Sequence, residues 1–472
     1  MSGFCFPLCS EFPYQDPCSV FSHFSTQDGC LFLDSAQPRE HCGRYSFIAV
    51  DPFQVLSSKN GLINLNGYTL QGDPFEVLRK ELNTFSLETL PDRPPFQGGA
   101  AGYFGYELAQ HLENLSWPQK DELPFPDLML GFYDLVLGFD LLQKRAWIFS
   151  SGYPRQDKKQ RYVQARQRLL QVLACLQKVP ALPAKFIEQN ERVEVHCHFS
   201  PAAYQQQVQK VIDYILAGDI FEANLSQGFS ADLPGTLTPF ELYCRLRKIN
   251  PSPFAAYFNF ADQQIASASP ERFIKLKAQG VETRPIKGTR PRGHSVKEDE
   301  QLARELMASE KDRAENIMIV DLLRNDLSRV CEDHSVQVQQ LCGLESYPTV
   351  HHLVSVITGK LRSEQKAIDL LKAVFPGGSI TGAPKWRAME IIAELEPARR
   401  GPYCGSVGYL GFDGSMDSSI TIRTFCIKNK KVSFQAGGAV VVDSNPSQEQ
   451  AEVLIKAQAL FRALGDHYDL AY

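Results

Sequence analysis

Pro285-Ile286-Lys287-Gly288-Thr289 sets a single lysine in a turn directly after an extended stretch. The residue before a proline is pushed toward extended backbone, and a glycine lets the chain turn tightly and approach a ligand. Lys287 therefore projects into whatever lies over that turn. A lysine amine, with an ordinary pKa of about 10.4, is a poor nucleophile at neutral pH unless burial or nearby positive charge lowers it. Read alone, a lysine beside a turn is usually a solvated side chain, and its meaning depends on its company in the chain.

Upstream, Ser200 is a natural helix cap, Pro201 suits the first helical position, and Tyr204, Val208, Val211, Ile212, Ile215 and Leu216 repeat on one face until Gly218. Extended candidates follow at 221–229, 254–260 and 272–277, the last directly after Ser269-Pro270-Glu271. Downstream, the helical stretch 309–323 is apolar at Ile317, Met318, Val320 and Leu322 and carries Asp312 and Glu315 three residues apart, on one face. Near the C-terminus Glu449, Glu452 and Lys456 also share a face. Two carboxylate-bearing helices brought together make an oxygen-rich site suited to Mg2+, whereas each helix alone reads as a solvated face.

Between those helices, Gly377-Gly378-Ser379-Ile380-Thr381-Gly382-Ala383-Pro384-Lys385 has the look of a phosphate loop. A Walker loop needs Gly-Lys followed by Ser or Thr, and here proline precedes the lysine, so ATP binding is rejected. What remains is a glycine-rich turn with main-chain donors for a carboxylate, opening a helix over 385–395. Arg423 falls in a β-branched run, 419–427, read as one strand. It is either paired in the sheet or offered to a substrate carboxylate. A further strand over 431–436 leads into Gly437-Gly438, where main-chain donors again face an anion.

The chain has 472 residues, 43% apolar and 22% charged, the composition of an ordinary globular protein with two lobes or one large unit. Its 49 basic and 54 acidic residues leave a net charge of -5 without a basic run, which argues against nucleic acid and anionic membranes as partners. No apolar run is long enough to span a bilayer and the N-terminus lacks a basic start, so the protein is expected in the cytoplasm. Twelve cysteines without a CxxC pair read as free thiols. His196-Cys197-His198 has no second cluster to complete a metal site and reads as a strand. The first third reads as short strands, including 43–52 and 131–142, around a glycine-dense stretch, 98–106, taken as close backbone packing. A helix over 157–178 and a Pro- and Lys-containing stretch over 179–192 then divide the chain into regions 1–190 and 191–472.

Together, Ser269-Pro-Glu-Arg-Phe273, Arg284-Pro-Ile-Lys-Gly-Thr-Arg290, Asp312-Arg-Ala-Glu-Asn316 running into Asp321-Leu-Leu-Arg-Asn-Asp326, His351-His352-Leu-Val-Ser355, the Gly377 to Lys385 turn, Gly405 to Leu410 and Thr421-Ile-Arg-Thr424 resemble the chorismate-utilising enzymes. That group includes anthranilate synthase, isochorismate synthase and salicylate synthase. The lysine of Pro-Ile-Lys-Gly-Thr resembles the aminodeoxychorismate synthase component I branch, where anthranilate synthases usually carry alanine. The resemblance spans essentially the whole chain and is strongest from about Ser200 onward. It implies an α+β fold of two stacked, mainly antiparallel sheets flanked by helices in one large globule: an anthranilate synthase component I-like region over 1–190 and a chorismate-binding catalytic region over 191–472.

The same resemblance implies a site. Glu315 and Glu452 would hold Mg2+, with Asp312 and Glu449 supporting. Tyr409 and Arg423, helped by Lys456, would hold the enolpyruvyl carboxylate of chorismate. Gly437 and Gly438, with Thr381 nearby, would receive the ring carboxylate, while His352 and Thr289 line the pocket. Glu271 would protonate the departing C4 hydroxyl, and Lys287 would attack ring carbon C2. Ammonia would then yield 4-amino-4-deoxychorismate, on the route to 4-aminobenzoate and folate. The ammonia would come from a separate glutamine amidotransferase subunit, since no cysteine here sits in a glutaminase elbow.

Two departures matter. Glu222 stands where relatives often have glutamine and where water-using members have a lysine base. Leu33-Asp34-Ser35 resembles the stretch shaping a tryptophan pocket, with Asp where feedback-sensitive anthranilate synthases often have Glu, so tryptophan binding is left open. The alternatives are anthranilate synthase component I, which releases pyruvate, and a non-catalytic chorismate-binding subunit.

Overall fold

Among the places where the chain leaves one β-sheet and enters another, three position the site. A computed structural model describes residues 5–38, 42–178, 192–347 and 350–472; the boundary expected near 190 lies outside them. Among the described residues one thirteen-stranded sheet runs Leu8–Phe12, Arg145–Ser150, Leu135–Asp140, Tyr45–Ala49, Cys30–Asp34, Phe254–Phe260, Gln263–Ser269, Thr424–Lys428, Lys431–Val440, Glu222–Asp232, Arg192–Cys197 and His467–Ala471, with Gly382–Ala383 paired to Glu222–Asp232. A twelve-stranded sheet runs Ile286–Pro291, Val350–Lys360, Gly280–Thr283, Arg272–Lys277, Met416–Ile420, Ser406–Gly411, Gly99–Phe104, Leu128–Tyr133, Gln54–Lys59, Leu62–Leu65 and Tyr68–Gln71, with Gln337–Ser346 paired to Val350–Lys360. The pairing of Arg192–Cys197 with His467–Ala471 is parallel; the rest are antiparallel, as expected. Early and late strands are neighbours in both sheets, Cys30–Asp34 beside Phe254–Phe260 and Gly99–Phe104 beside Ser406–Gly411, so the two regions form one globule.

The sheets stack through Leu31, Phe47 and Phe258 of the first against Tyr103, Val407 and Tyr409 of the second. Helices Pro201–Leu216, Pro239–Ile249 and Pro446–Leu464 cover the outer face of the first sheet; Glu310–Ser328 and Ala367–Val374 pack on the second. The glycine-dense stretch is a buried strand whose backbone approach is very close: a Cβ on Gly102 would lie 2.0 Å from the Met129 carbonyl oxygen. His196 and Cys197 end a strand of alternating exposure, as read from sequence.

The stretches 131–142 and 419–427, each expected as a single strand, are both broken. Leu128–Tyr133 belongs to one sheet and Leu135–Asp140 to the other, with the crossing at buried Asp134. Met416–Ile420 and Thr424–Lys428 likewise belong to different sheets, and Arg423 between them has φ +51°, in the left-handed region. A run of β-branched residues fixes extended backbone but does not say to which sheet each half belongs. The third crossing, from Gln263–Ser269 to Arg272–Lys277, passes through Glu271. It is laced to the second: the Ser269 hydroxyl donates to the Ile420 carbonyl at 2.6 Å, the Ile420 N–H to the Glu271 carbonyl at 3.1 Å, and the Ala268 N–H to the Arg423 carbonyl at 3.1 Å.

Capping explains the helices. Ser200 accepts from the Ala203 N–H and Ser309 from the Asp312 N–H, opening Pro201–Leu216 and Glu310–Ser328. The apolar faces needed correction. Leu216 is 69% exposed and Ile317 40% exposed, while Asn316 and Asp326 are buried beside Ile319, Val320, Leu323 and Leu327. Buried polar residues on the inner face of Glu310–Ser328 broke the periodicity from which that face was read.

Candidate active site

Lys287 lies on the edge strand Ile286–Pro291, where the ladder with Val350–Lys360 slips by one residue at Gly288. Gly288 has φ +79°, and a Cβ there would come within 3.0 Å of Asp312 Cβ and Leu306 Cδ1, so the bulge and the helix behind it both require glycine. The bulge aims Lys287 inward. Its Nζ donates to Glu222 Oε1 at 2.8 Å and lies 4.0 Å from Glu315 Oε2. Glu222 is fully buried, and its Oε2 has no hydrogen-bond partner among the described residues.

The electrostatics reverse one expectation. Burial alone would lower the Lys287 pKa, but the carboxylates of Glu222 and Glu315 outweigh it and hold the amine above its ordinary range, as an ammonium. The proton has a nearby acceptor in Glu222. Glu315 is pushed up to about 7, chiefly by burial, against the opposing pull of Lys287.

Glu271, at its crossing between the sheets, is 5% exposed. Burial raises its pKa to about 7, far enough above an ordinary carboxyl for it to serve as an acid near neutrality. The Ser379 hydroxyl donates to its Oε1 at 2.7 Å, and this donor, the Lys287 ammonium and the nearby Ile286 N–H all pull against burial. Ser379 thus holds Glu271 while Lys287 holds Glu222. Sequence reasoning passed over Ser379 because a serine in a glycine-rich turn has no distinguishing pattern.

Arg423 donates to Asn250 Oδ1 at 3.1 Å and has no carboxylate within ion-pair distance among the described residues. Burial pulls its pKa down, the signature of a guanidinium short of a counter-anion. Thr381 is fully buried; its hydroxyl donates to the Gly377 and Gly378 carbonyls, and its carbonyl accepts from the Asn224 N–H at 2.7 Å. Thr289 Oγ1 meets His352 Nδ1 at 2.9 Å across the ladder, with Thr289 exposed at the rim and His352 buried.

The carboxylates of the two helices are distributed rather than clustered. Glu452 pairs with Lys456 at 2.7 Å, Glu449 accepts from Ser444 and lies 3.6 Å from Lys311, and Asp312 pairs with Arg290 at 3.0 Å. A Cβ on Gly438 would meet Glu449 Oε2 at 3.3 Å, Lys456 Nζ at 3.6 Å and Glu452 Oε1 at 3.7 Å, so both glutamates of Pro446–Leu464 converge over this glycine. Lys456 also donates to the Gly437 carbonyl at 3.0 Å. Gly437 and Gly438 sit within the strand Lys431–Val440, opposite Ser226 and Leu225. Among the described residues no three His, Cys, Asp or Glu side chains are gathered into a metal cluster. The oxygen donors nevertheless suit a hard cation that takes one or two protein carboxylates and fills its shell with water and substrate.

One expected site residue lies elsewhere. Tyr409 stacks on Phe96 at 4.5 Å and contacts Phe47 at 5.7 Å between the sheets. Its strand alternates faces, and the Tyr409 face turns toward a separate cavity of about 250 Å3 rather than toward Lys287. Asp34 and Ser35 line that cavity with Leu33, Phe47 and Arg272, but their polar groups are committed. Asp34 accepts from Tyr243 at 2.8 Å, Arg247 at 2.5 Å and Ser46 at 3.2 Å, and Ser35 donates to the Tyr45 and Pro253 carbonyls.

A family model described as chorismate binding enzyme matches residues 28–462. The chain belongs to the chorismate binding enzyme family. Anthranilate synthase component 1 of Acetivibrio thermocellus is 38% identical over 460 residues, covering 95% of this chain and 93% of the relative. Aminodeoxychorismate synthase component 1 of Bacillus subtilis is also 38% identical, over 440 residues, covering 92% and 91%. The crystal structure of anthranilate synthase component I from Streptococcus pneumoniae superposes with a TM-score of 0.78 at 35% identity, covering 88% of this chain and 91% of that one. This chorismate binding enzyme therefore has the anthranilate synthase component I fold. Overall identity does not separate the two activities, so the chemistry rests on individual side chains. All twelve of the enzyme's cysteines are free, and among the described residues no helix is long and apolar enough to cross a membrane.

Proposed function

We propose that this enzyme is an aminodeoxychorismate synthase component I, converting chorismate and ammonia to 4-amino-4-deoxychorismate through a covalent adduct on Lys287. The observation that carries this reading is Lys287 itself, buried and aimed from the Gly288 bulge into the space shared with Glu222, Glu271 and Glu315. Lys287 passes its proton to Glu222 and attacks ring carbon C2. The ring double bond shifts, and the C4 hydroxyl leaves as water with the proton of Glu271. Ammonia then adds at C4 and expels the lysine, so that water is the only net by-product. One displacement of a poor leaving group becomes two easier steps.

Arg423, unbalanced by any carboxylate among the described residues, is the natural partner of one substrate carboxylate. Glu315 and Glu452 would hold Mg2+, with Asp312 and Glu449 supporting; the ion supplies charge neutralisation for the ring carboxylate. His352 and Thr289 would border the substrate, with Gly437, Gly438 and Thr381 on the carboxylate side. Ammonia would come from a separate glutamine amidotransferase subunit. If the cavity beside Asp34 takes tryptophan, Asp34 must first release Tyr243 or Arg247.

The second reading, anthranilate synthase component I, is supported by the equal identity to relatives of that name. Mass spectrometry of products from chorismate, ammonia and Mg2+ separates the two. Aminodeoxychorismate from the parent, lost in Lys287→Ala, is the expected result; anthranilate with pyruvate, undiminished in Lys287→Ala, would overturn the proposal.

A further inference from the structure

We propose that Ser379 is the positioning residue of the catalytic acid, holding the Glu271 carboxyl with one oxygen occupied as an acceptor so that the transferable proton resides on the other. This inference rests on the reading of Glu271 as the acid of the reaction.

The turn that presents Ser379 is built for close approach. Gly377 and Gly378 flank the site on the chain's way into the short helix Gly378–Ile380. A Cβ on Gly377 would lie 2.6 Å from Ile420 Cδ1, beside the Glu271 crossing, and one on Gly378 would lie 2.8 Å from Leu322 Cδ2 on the helix that carries Asp312 and Glu315. The glycines let the turn settle between these two elements, and Ser379, 8% exposed, closes on Glu271 Oε1 at 2.7 Å. The far end of the turn is pinned by Lys385, whose Nζ donates to Asp326 at 2.6 Å and to the Val374 carbonyl at 3.0 Å.

A carboxylic acid that delivers a proton must present its O–H in a fixed direction. A hydroxyl donating to Oε1 fills one acceptor site of that oxygen and favours the proton on Oε2, which receives no such donor. The Ile286 N–H, near the carboxyl, favours its ionised form. The charged and titratable groups facing Glu271 are Lys287, whose ammonium favours the ionised form, and the buried thiol of Cys404. Ser379 also favours the ionised form, since it donates to it.

The test compares the parent, Ser379→Ala and Ser379→Thr in single-turnover reactions with chorismate, ammonia and Mg2+ across pH. Activity needs the protonated acid and so falls as pH rises through its pKa. Loss of the Ser379 donor is expected to move that falling limb upward by about half a unit to one unit and to cut the plateau rate roughly tenfold, with KM for chorismate little changed. Ser379→Thr, which keeps the hydroxyl, is expected to restore both. A loss of packing alone would lower the rate without moving the limb. An infrared titration of the Glu271 carboxyl, assigned by subtracting Glu271→Gln, follows the same midpoint without turnover. A midpoint unmoved in folded Ser379→Ala overturns the proposal. If instead Glu271→Gln keeps the parent rate, the acid assignment falls, and the Ser379 proposal with it; if the parent gives neither amine product nor pyruvate, the reaction itself was misassigned.

Discussion

Lys287 Nζ and Glu222 Oε1 stand 2.8 Å apart, both buried, with the second oxygen of Glu222 unpartnered among the described residues. The pair sets the resting protonation of the proposed nucleophile: Glu222 and Glu315 together overcome the burial that would otherwise free the amine. Glu222→Gln keeps the shape and removes one charge. The Lys287 pKa then falls, the pH at which the amine becomes reactive moves down, and more free amine is present at a given pH below it. Labelling of Lys287 with an amine reagent, read by peptide mass spectrometry across pH, measures this; identical midpoints in the two proteins would show that Glu222 does not govern the lysine.

Stability follows pH in a direction set by other buried carboxylates. Glu107, accepting the Arg400 and Gly401 N–H groups, and Glu271 are both raised to about 7 by burial. A carboxyl whose folded pKa exceeds its unfolded value binds more protons when folded, so stability falls as pH rises from about 4.5 through about 7. Each such group costs on the order of 3 kcal/mol once fully ionised. Histidines lowered by burial, His23 and His111, act oppositely but finish titrating near their unfolded value of about 6.5. Calorimetry of the parent against Glu271→Gln between pH 6.5 and 8 cancels the histidines, which both proteins share. The parent is expected to lose melting temperature over this interval, and Glu271→Gln to lose less; parallel losses would show that Glu271 is not ionising there.

The same residues show how much could be read beforehand. Cap and period placed Pro201–Leu216 and Lys385–Leu395 almost to the residue, because Ser200, Pro201 and the glycine-rich turn are local signals. Lys287, Glu271, Arg423 and Glu315 were legible as motif residues. Tyr409 was not placed correctly because a strand's two faces look out on different cavities and the sequence does not say which holds substrate. Arg423 was expected in a continuous strand, yet its crossing between sheets depends on partners more than a hundred residues away, as does the contact of Ser379 with Glu271. Long-range pairing of this kind leaves no local pattern.

Lys385 and Asp326 form a buried ion pair at 2.6 Å that ties the glycine-rich turn to the carboxylate helix. Burial pulls the lysine down and pushes the aspartate up, so each tolerates its charge only because of the other. Lys385→Met strands the carboxylate and is expected to cost about 3–5 kcal/mol. The double variant Lys385→Met with Asp326→Leu removes both charges and is expected to recover most of that loss. Denaturant titration of the four proteins gives the coupling energy; strictly additive losses would mean that the pair is not a unit.

Gly437 and Gly438 are neighbours in one strand with opposite tolerance for a side chain. A Cβ on Gly437 would lie 2.6 Å from the Leu225 carbonyl oxygen, a backbone atom of the partner strand, so Gly437→Ala must open the ladder. That is expected to destabilise by about 1–3 kcal/mol. On Gly438 the nearest atoms are the ends of Glu449, Lys456 and Glu452, at 3.3 to 3.7 Å, all of which can give. Gly438→Ala should therefore fold as the parent does while inserting a methyl group where the carboxylates converge. If those carboxylates receive Mg2+ and the ring carboxylate of chorismate, the Mg2+ needed for half-maximal turnover rises roughly tenfold, equivalent to about 1.4 kcal/mol, with melting temperature unchanged. An unchanged Mg2+ requirement would separate Glu449 and Glu452 from the metal. Equal losses of stability in both variants would show that the strand, and not the carboxylates above it, sets the demand for glycine at position 438.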